Sequence, residues 1–332
     1  MLSLAMIAKN EENCLGRCLE SVKDLVDEIV VVDTGSTDKT KEIALKYTDK
    51  VFDFKWIDDF SAARNYSFEM CTGDHILWLD CDDVILPEDA TKLRALDLSD
   101  IEILISPYEY AHDEYGKSIC TVPRERIVKR SLGLKWEQPI HEYLPLLGKQ
   151  FISDFAVHHY RQGGTSDRNL RILEKIVAKN PQNTRNVYYL GKEYQDCGKI
   201  NEAVKYLTMF TENSAGAFWE DIYQAHYRLA QCYRHMQDEV KFKEHIFKSI
   251  SLEERRAEPY YQLANHYETI KQWDKAIHWY ETCVRIRRPK DLLSSYQPEY
   301  YTWLPCLQLC VCYNSIGDIE NANKYNEKVL EY

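Results

Sequence analysis

The chain has 332 residues and a formal net charge of −11 at pH 7. Its length predicts two domains, each large enough to bury its own core, and its negative charge argues against nucleic-acid binding, which needs a clustered basic surface. The 11 cysteines occur singly, without CxxC or zinc-finger spacing, and predict reduced thiols in a cytoplasmic protein. No stretch approaches the roughly 18 apolar residues of a membrane helix, so we expect no integral membrane segment.

The N-terminal third alternates short apolar runs with amphipathic segments, which predicts β-α-β units around a mostly parallel sheet. The opening apolar run is a predicted first strand, since it is too short for a signal peptide. Two later predicted strands, 28–33 and 75–80, each end on an acid, Asp33 and Asp80. Ligands of open α/β sheets bind at that edge. Helices are predicted at 15–25, at 39–47 and from about Ser61.

An extended, aromatic region follows, with predicted strands at 101–110, 126–130 and 156–160. The Gly-containing polar stretch 161–167 is the predicted linker. We therefore place an α/β domain at residues 1–165.

Residues 166–332 form a second, all-α domain with an internal repeat. In each unit, two helix-packing positions lie twelve residues apart, with a leucine just before the first and a tyrosine three residues after it. These pairs are Gly191/Ala203, Ala230/Phe242, Ala264/Ala276 and Cys310/Ala322. The units resemble tetratricopeptide repeats, whose period is roughly 34 residues. Their tyrosine-rich surfaces leave both a homodimer and partner binding open.

The strongest local signal is the run Asp80-Cys81-Asp82-Asp83 after an apolar strand. Carboxylates this close repel one another, so they are unfavourable at a strand end unless a divalent cation or hydrogen-bond donors neutralise them. The alternative is a helix cap or polar turn before Pro87.

Four motifs occur in order along the first 160 residues. They are Ala8-Lys-Asn10-Glu-Glu12, Asp33-Thr-Gly-Ser36-Thr-Asp38, Phe60-Ser-Ala-Ala-Arg64-Asn65 and Asp80-Cys81-Asp82-Asp83. In this order and spacing they resemble glycosyltransferase family 2. The resemblance implies a Rossmann-like GT-A fold. With the helical repeats, the chain is similar to two-domain bacterial and phage transferases such as bacteriocin S-glycosyltransferases.

The resemblance implies a nucleotide-diphosphate-sugar donor, with Asp33 binding the uracil or ribose and Arg64 facing the nucleotide or diphosphate. A carboxylate accepts two neighbouring hydrogen bonds, and an arginine offers a fixed donor fork. The alternatives are a helix cap for Asp33 and a surface or Asp-paired arginine for Arg64. The other implied donor-binding residues are Ala8, Asn10, Glu12, Ser36, Asp80 and Cys81.

The same resemblance implies that Asp82, Asp80 and His141 bind Mn²⁺ or Mg²⁺. An imidazole ligand suits Mn²⁺ better than Mg²⁺. Glu142 is the candidate general base and Asp83 its competitor, and the sequence does not choose between them. His158 and His159 end a predicted strand, and His159 matches a family position better. Tyr160-Arg161 departs from the family pattern after them, so their role stays open.

These features predict a metal-dependent, inverting glycosyltransferase that acts on a peptide, protein or glycan acceptor, with a UDP-sugar favoured as donor. The alternative from another class is an inactive transferase-like scaffold that binds peptides through its repeats. A nucleotidyltransferase fits less well, because a basic glycine-rich loop is expected after its first strand and this chain has the acidic run 9–12.

Overall fold

The structure is a computed structural model. It describes residues 1–116, 118–160, 167–287 and 296–332. The chain divides into two compact units, residues 1–164 and 165–332. The predicted linker 161–167 lies, except for Asp167, outside the described residues. No helix in the described part is long and apolar enough to cross a membrane.

A single mixed sheet organises the first unit. Its strands in the described residues are β1 (Leu2–Ala8), β2 (Glu28–Asp33), β3 (Val51–Asp53), β4 (His75–Trp78), β5 (Asp83–Val84), β6 (Ile103–His112), β7 (Ser118–Lys129), β8 (Gln150–Ile152) and β9 (Val157–His159). They lie in the order β3-β2-β1-β4-β7-β6-β9-β5, and β8 pairs with β6. The first four are mutually parallel, as predicted, whereas β7 runs antiparallel to both β4 and β6.

Several strand boundaries differ from the predicted ones, among them the end of β4 and the start of β7. β4 ends at Trp78, so Asp80 follows the strand instead of closing it. β7 begins at Ser118, well before the predicted start at Arg126. The polar residues at its start pair with β6 across a hairpin, and such pairing overrides the local hydrophobic pattern.

The core lies on both faces of the sheet, because successive strand side chains point to opposite sides. In β1, Leu4 and Met6 enter one core cluster, whereas Ala5 enters the other. The helices of this unit are α1 (Leu15–Val22), α2 (Thr40–Ala44), α3 (Phe60–Met70) and α4 (Pro87–Arg94). The predicted apolar face of α1 is confirmed, and its four members Leu15, Cys18, Leu19 and Val22 are buried. Each large apolar side chain buried this way contributes about 1.5–3 kcal/mol.

The second unit is helical. Its helices are α5 (Arg168–Lys179), α6 (Thr184–Asp196), α7 (Ile200–Glu212), α8 (Trp219–His235), α9 (Glu239–Leu252), α10 (Glu258–Thr269), α11 (Trp273–Arg285), α12 (Trp303–Ser315) and α13 (Ile319–Val329). From α6 onward, the described helices pack as consecutive pairs, α6 with α7 through α12 with α13. Each predicted repeat places its two packing positions on the two helices of one pair. Ala203, Ala230, Ala264 and Ala276 are buried, whereas Cys310 is half-buried.

Gly191 shows why a small residue is needed between paired helices. A Cβ added there would lie 2.8 Å from Cγ and 2.9 Å from the backbone nitrogen of Leu207 on α7. The backbone atom cannot move without shifting the helix, so the pair depends on glycine at this point.

We therefore expect Gly191→Ala to lower the free energy of unfolding by about 1–3 kcal/mol, the usual range for overpacking. Helix propensity alone predicts the opposite outcome, a more stable protein, because it favours alanine over glycine in a helix by about 0.8–1.0 kcal/mol. Urea unfolding followed by circular dichroism measures the difference.

Gly16→Ala on α1 is the matched control. Its new Cβ would meet only Cγ2 of Ile43, at 3.7 Å, an ordinary contact. It should therefore leave stability unchanged or raise it. A Gly191→Ala protein as stable as the wild type would contradict the packing argument.

Candidate active site

The carboxyl ends of the parallel strands bring the sequence motifs to one edge of the sheet. Ala8 at the end of β1 pairs in register with Asp33 at the end of β2. Asp80 follows β4, the other neighbour of β1. This is the edge at which open α/β sheets bind ligands.

Asp33 is buried and has one unsatisfied oxygen. Its Oδ2 accepts hydrogen bonds from the backbone N–H groups of Gly35 and Ser36, each at 3.0 Å. Its Oδ1 is buried without a hydrogen-bond partner among the described residues. An unsatisfied buried acceptor costs about 1–3 kcal/mol, so this oxygen is suited to accept from a ligand.

The loops after β1 and β2 are hydrogen-bonded to each other. The Asn10 N–H donates to Ser36 Oγ at 2.9 Å, and Asn10 Oδ1 accepts from the Thr37 N–H at 2.8 Å. Glu12 Oε2 accepts from the Lys39 N–H at 3.2 Å. These side chains shape the loops, and their part in donor binding stays a prediction.

Arg64 on α3 joins two carboxylates that are distant in sequence. Its Nη2 donates to Asp80 Oδ1 and its Nε to Glu142 Oε1, both at 2.7 Å. The guanidinium carbon lies 4.9 and 5.0 Å from the ring centres of Trp78 and Trp136. Burial alone would lower the pKa of Arg64, but the two carboxylates raise it above its ordinary value. Arg64 is thus paired with Asp80 in a buried setting, and its contact with the nucleotide or diphosphate stays a prediction.

Asp80 and Asp82 differ in charge compensation. Burial would raise the pKa of Asp80, but the positive charges of Arg64 and Arg126 lower it to about 2. The pKa of Asp82 is raised to about 6, because burial and the charges of Asp80 and Asp83 outweigh the attraction of a nearby histidine. Of these two carboxylates, Asp82 therefore gains more from an added cation.

A group of three side chains could hold that cation. Asp82, Asp83 and His159 each offer one ligand atom, and these atoms lie within 4.8 Å of one another. His159 Nδ1 lies 3.4 Å from Asp82 Oδ1 and 3.2 Å from Asp83 Oδ1. The pairing of β5 with β9 places Asp83 directly opposite His159. Two oxygens and one imidazole suit a divalent transition metal such as Mn²⁺.

The structure brings His159 to this group, and not His141. His141 has a left-handed backbone with φ 50° and lies in a loop closed by a bridge between Glu137 and Tyr143. Among the described residues, neither His141 nor Asp80 belongs to the group of candidate ligands. Their metal-binding roles remain predictions. The sequence signals for His159 were its position at the end of a predicted strand and its better match to a family position.

Asp83 and Cys81 are turned inward. Asp83 has no exposed side-chain surface. Its Oδ1 accepts from Tyr108 Oη at 2.8 Å, and its Oδ2 accepts from the Asp80 N–H at 2.9 Å. The Cys81 thiol donates to the Ile7 carbonyl at 3.3 Å, and burial raises its pKa well above the ordinary value. If Cys81 contacts a nucleotide-sugar donor, it would therefore do so through its backbone.

Two known protein families match parts of this chain. Residues 3–106 match glycosyl transferase family 2, and residues 257–289 match a tetratricopeptide repeat. The first match includes Asp33, Arg64 and the acidic run 80–83, but ends before Glu142 and His159.

Two relatives match over a longer stretch than either family model. A TPR repeat-containing protein of Synechococcus elongatus is 34% identical over 224 residues, which are 62% of this chain and 55% of that protein. The SPbeta prophage-derived glycosyltransferase SunS of Bacillus subtilis is 29% identical over 229 residues, 64% of this chain and 53% of the relative. This chain thus spans about half the length of these relatives.

Two solved structures are similar to part of this chain. A structure of MamA covers 50% of this chain at a TM-score of 0.42 and 25% identity, over 86% of its own length. Glucosyl-3-phosphoglycerate synthase of Mycobacterium tuberculosis, solved with Mn²⁺ and UDP-glucose, covers 32% of this chain and 43% of its own, at a TM-score of 0.29 and 25% identity. On the family matches, the chain consists of a glycosyl transferase family 2 domain followed by tetratricopeptide-like helical repeats.

Proposed function

We propose that this protein is a metal-dependent, inverting glycosyltransferase that transfers a sugar from a nucleotide-diphosphate sugar, with a UDP-sugar favoured. One observation supports this most strongly. The Asp82, Asp83 and His159 group lies at the same sheet edge as Asp33, whose buried Oδ1 has no partner among the described residues. A cation site and a nucleoside-binding carboxylate are the two elements that an acidic protein needs to hold a polyanionic donor.

The cation would be held by Asp82, Asp83 and His159, and the imidazole favours Mn²⁺ over Mg²⁺. When bound, it supplies positive charge that stabilises the leaving diphosphate. Asp33 Oδ1 would accept a hydrogen bond from the base or the ribose of the nucleotide sugar. Backbone groups near Ala8 and Cys81 complete the proposed donor surface.

Glu142 is the better candidate for the general base. Its side chain is 14% exposed, whereas that of Asp83 is fully buried and held by hydrogen bonds. An acceptor must reach the group that takes its proton. Arg64 binds one oxygen of Glu142 and so fixes its orientation. A base acting directly on the acceptor fits a single displacement with inversion.

The acceptor is a peptide, a protein or a glycan. Helical repeats of this kind form extended binding surfaces, which favours a polypeptide. The second candidate is an inactive scaffold that binds peptides through its repeats. The retained partnership of Arg64 with Asp80 and Glu142 disfavours it, because an inactive domain has no need to keep this arrangement buried.

Asp82→Asn should abolish cation-dependent donor turnover while leaving the fold intact. We expect hydrolysis of one donor from a panel of UDP- and GDP-sugars, fastest with Mn²⁺ and absent with EDTA. In the variant, kcat/KM should fall by about 10²–10³, the range for losing one electrostatic contact to the transition state. Glu88→Gln removes an exposed carboxylate from α4 and is the matched control. If no donor is hydrolysed and none raises the melting temperature, the scaffold is the better description.

Glu142→Gln tests the proposed base. Glutamine keeps an oxygen for the Arg64 N–H but cannot take a proton, so kcat should fall by roughly 10²–10⁴. The Kd for UDP with Mn²⁺, measured by calorimetry, should stay unchanged. Glu137→Gln, in the same loop, is the control and should retain the wild-type rate. If Glu142→Gln keeps the wild-type rate, Glu142 is not the base.

A further inference from the structure

Arg126 on β7 is an unusual residue to find in a sheet core. It is completely buried. Its Nη1 donates to the Trp78 carbonyl at 3.3 Å, but its Nε and Nη2 have no hydrogen-bond partner among the described residues. Buried charges and unsatisfied donors are unfavourable. Departures of this kind from ordinary packing are expected mainly at functional sites.

A register shift in the sheet places this arginine. Ile127 of β7 pairs with Leu104, but Glu125 pairs with Ile105, the very next residue of β6. Arg126 is therefore the extra residue of a β-bulge. Bulges redirect side chains and are frequent beside active sites.

The redirected side chain contacts two aromatic rings. The Arg126 guanidinium carbon lies 4.0 Å from the ring centre of Trp78 and 4.1 Å from that of Tyr108. Trp78 belongs to one core cluster of the sheet and Tyr108 to the other. Cation–π contacts with both rings fix the plane of the guanidinium.

The fixed guanidinium meets Asp83. Arg126 Nη1 lies 3.3 Å from Asp83 Oδ2, which also accepts from the Asp80 N–H at 2.9 Å. The other oxygen, Oδ1, faces Tyr108 Oη at 2.8 Å and His159 Nδ1 at 3.2 Å. Because Arg126 and the Asp80 N–H both contact Oδ2, the Asp83 carboxylate is held in one orientation, with Oδ1 toward His159.

We propose that Arg126 is a positioning residue for the cation site, which acts by fixing the Asp83 carboxylate so that Oδ1 faces His159. The proposal rests on the proposed function, because it requires that Asp82, Asp83 and His159 bind a divalent cation. Residues that contact a metal-binding side chain from outside the coordination sphere orient it, and their loss weakens the affinity for the metal.

Binding of Mn²⁺ by the full chain tests this without turnover. Free Mn²⁺ is read by electron paramagnetic resonance during a titration of wild type and Arg126→Lys. Lysine keeps the charge but loses the planar fork, so the Kd for Mn²⁺ should rise about 10–100-fold. Arg124→Lys is the matched control. Arg124 lies on the same strand and 5.0 Å from the same Trp78 ring, but it pairs with Glu125. It should bind Mn²⁺ as the wild type does.

The Asp83→Asn background separates positioning from general damage. If Arg126 acts through Asp83, Arg126→Lys should add no further change in Mn²⁺ affinity to Asp83→Asn. The double variant Asp83→Asn/Arg126→Met removes both buried charges together, which is often tolerated. If Arg126→Lys does not fold, this double variant takes its place in the titration. Its Kd for Mn²⁺ should then equal that of Asp83→Asn.

The outcomes distinguish this proposal from the proposed function. A wild type that does not bind Mn²⁺ overturns both. If the wild type binds Mn²⁺ and Asp83→Asn weakens binding, but Arg126→Lys does not, only the positioning role of Arg126 is overturned. An added loss of affinity on changing Arg126 in the Asp83→Asn background also overturns it, since Arg126 would then act by another route.

Discussion

Compensation of buried negative charge is the constraint on which this site depends. Carboxylates gathered in a poorly solvated place repel each other and must be paired to stay ionised. Two buried arginines provide the partners: Arg64 joins Asp80 to Glu142, and Arg126 approaches Asp83. Because the partners come from different strands, helices and loops, the same ion pairs that neutralise the charge also fix the elements around the sheet edge.

Trp78 is the common surface for these cations. Arg64, Arg124 and Arg126 all lie within 5.0 Å of its ring centre. An aromatic face attracts a guanidinium without adding negative charge. The tryptophan at the end of β4 therefore lets several arginines gather beside the acidic run.

Among the described residues, Asp82 forms no ion pair with an arginine, unlike Asp80 and Asp83. His159 Nδ1 lies 3.4 Å from Asp82 Oδ1, and the pKa of Asp82 is raised to about 6 by burial and by the other carboxylates. A bound divalent cation would supply the missing charge. The charges of Asp80 and Asp83 are thus compensated by arginines, whereas Asp82 would gain from a bound cation.

The sequence by itself determined the local features of this protein. The apolar run 28–33 and the spacing of α1 predict their elements, because strand and helix periodicity is encoded in neighbouring residues. It also placed Asp33 and the acidic run at strand ends, and it identified the helical repeats. Only the tertiary structure decided which side chains meet. His159 faces Asp83 through pairing of β5 with β9, and Arg126 turns toward Asp83 through a bulge against β6. Both depend on strand register, which is set by contacts between residues far apart in the chain and is absent from the local pattern.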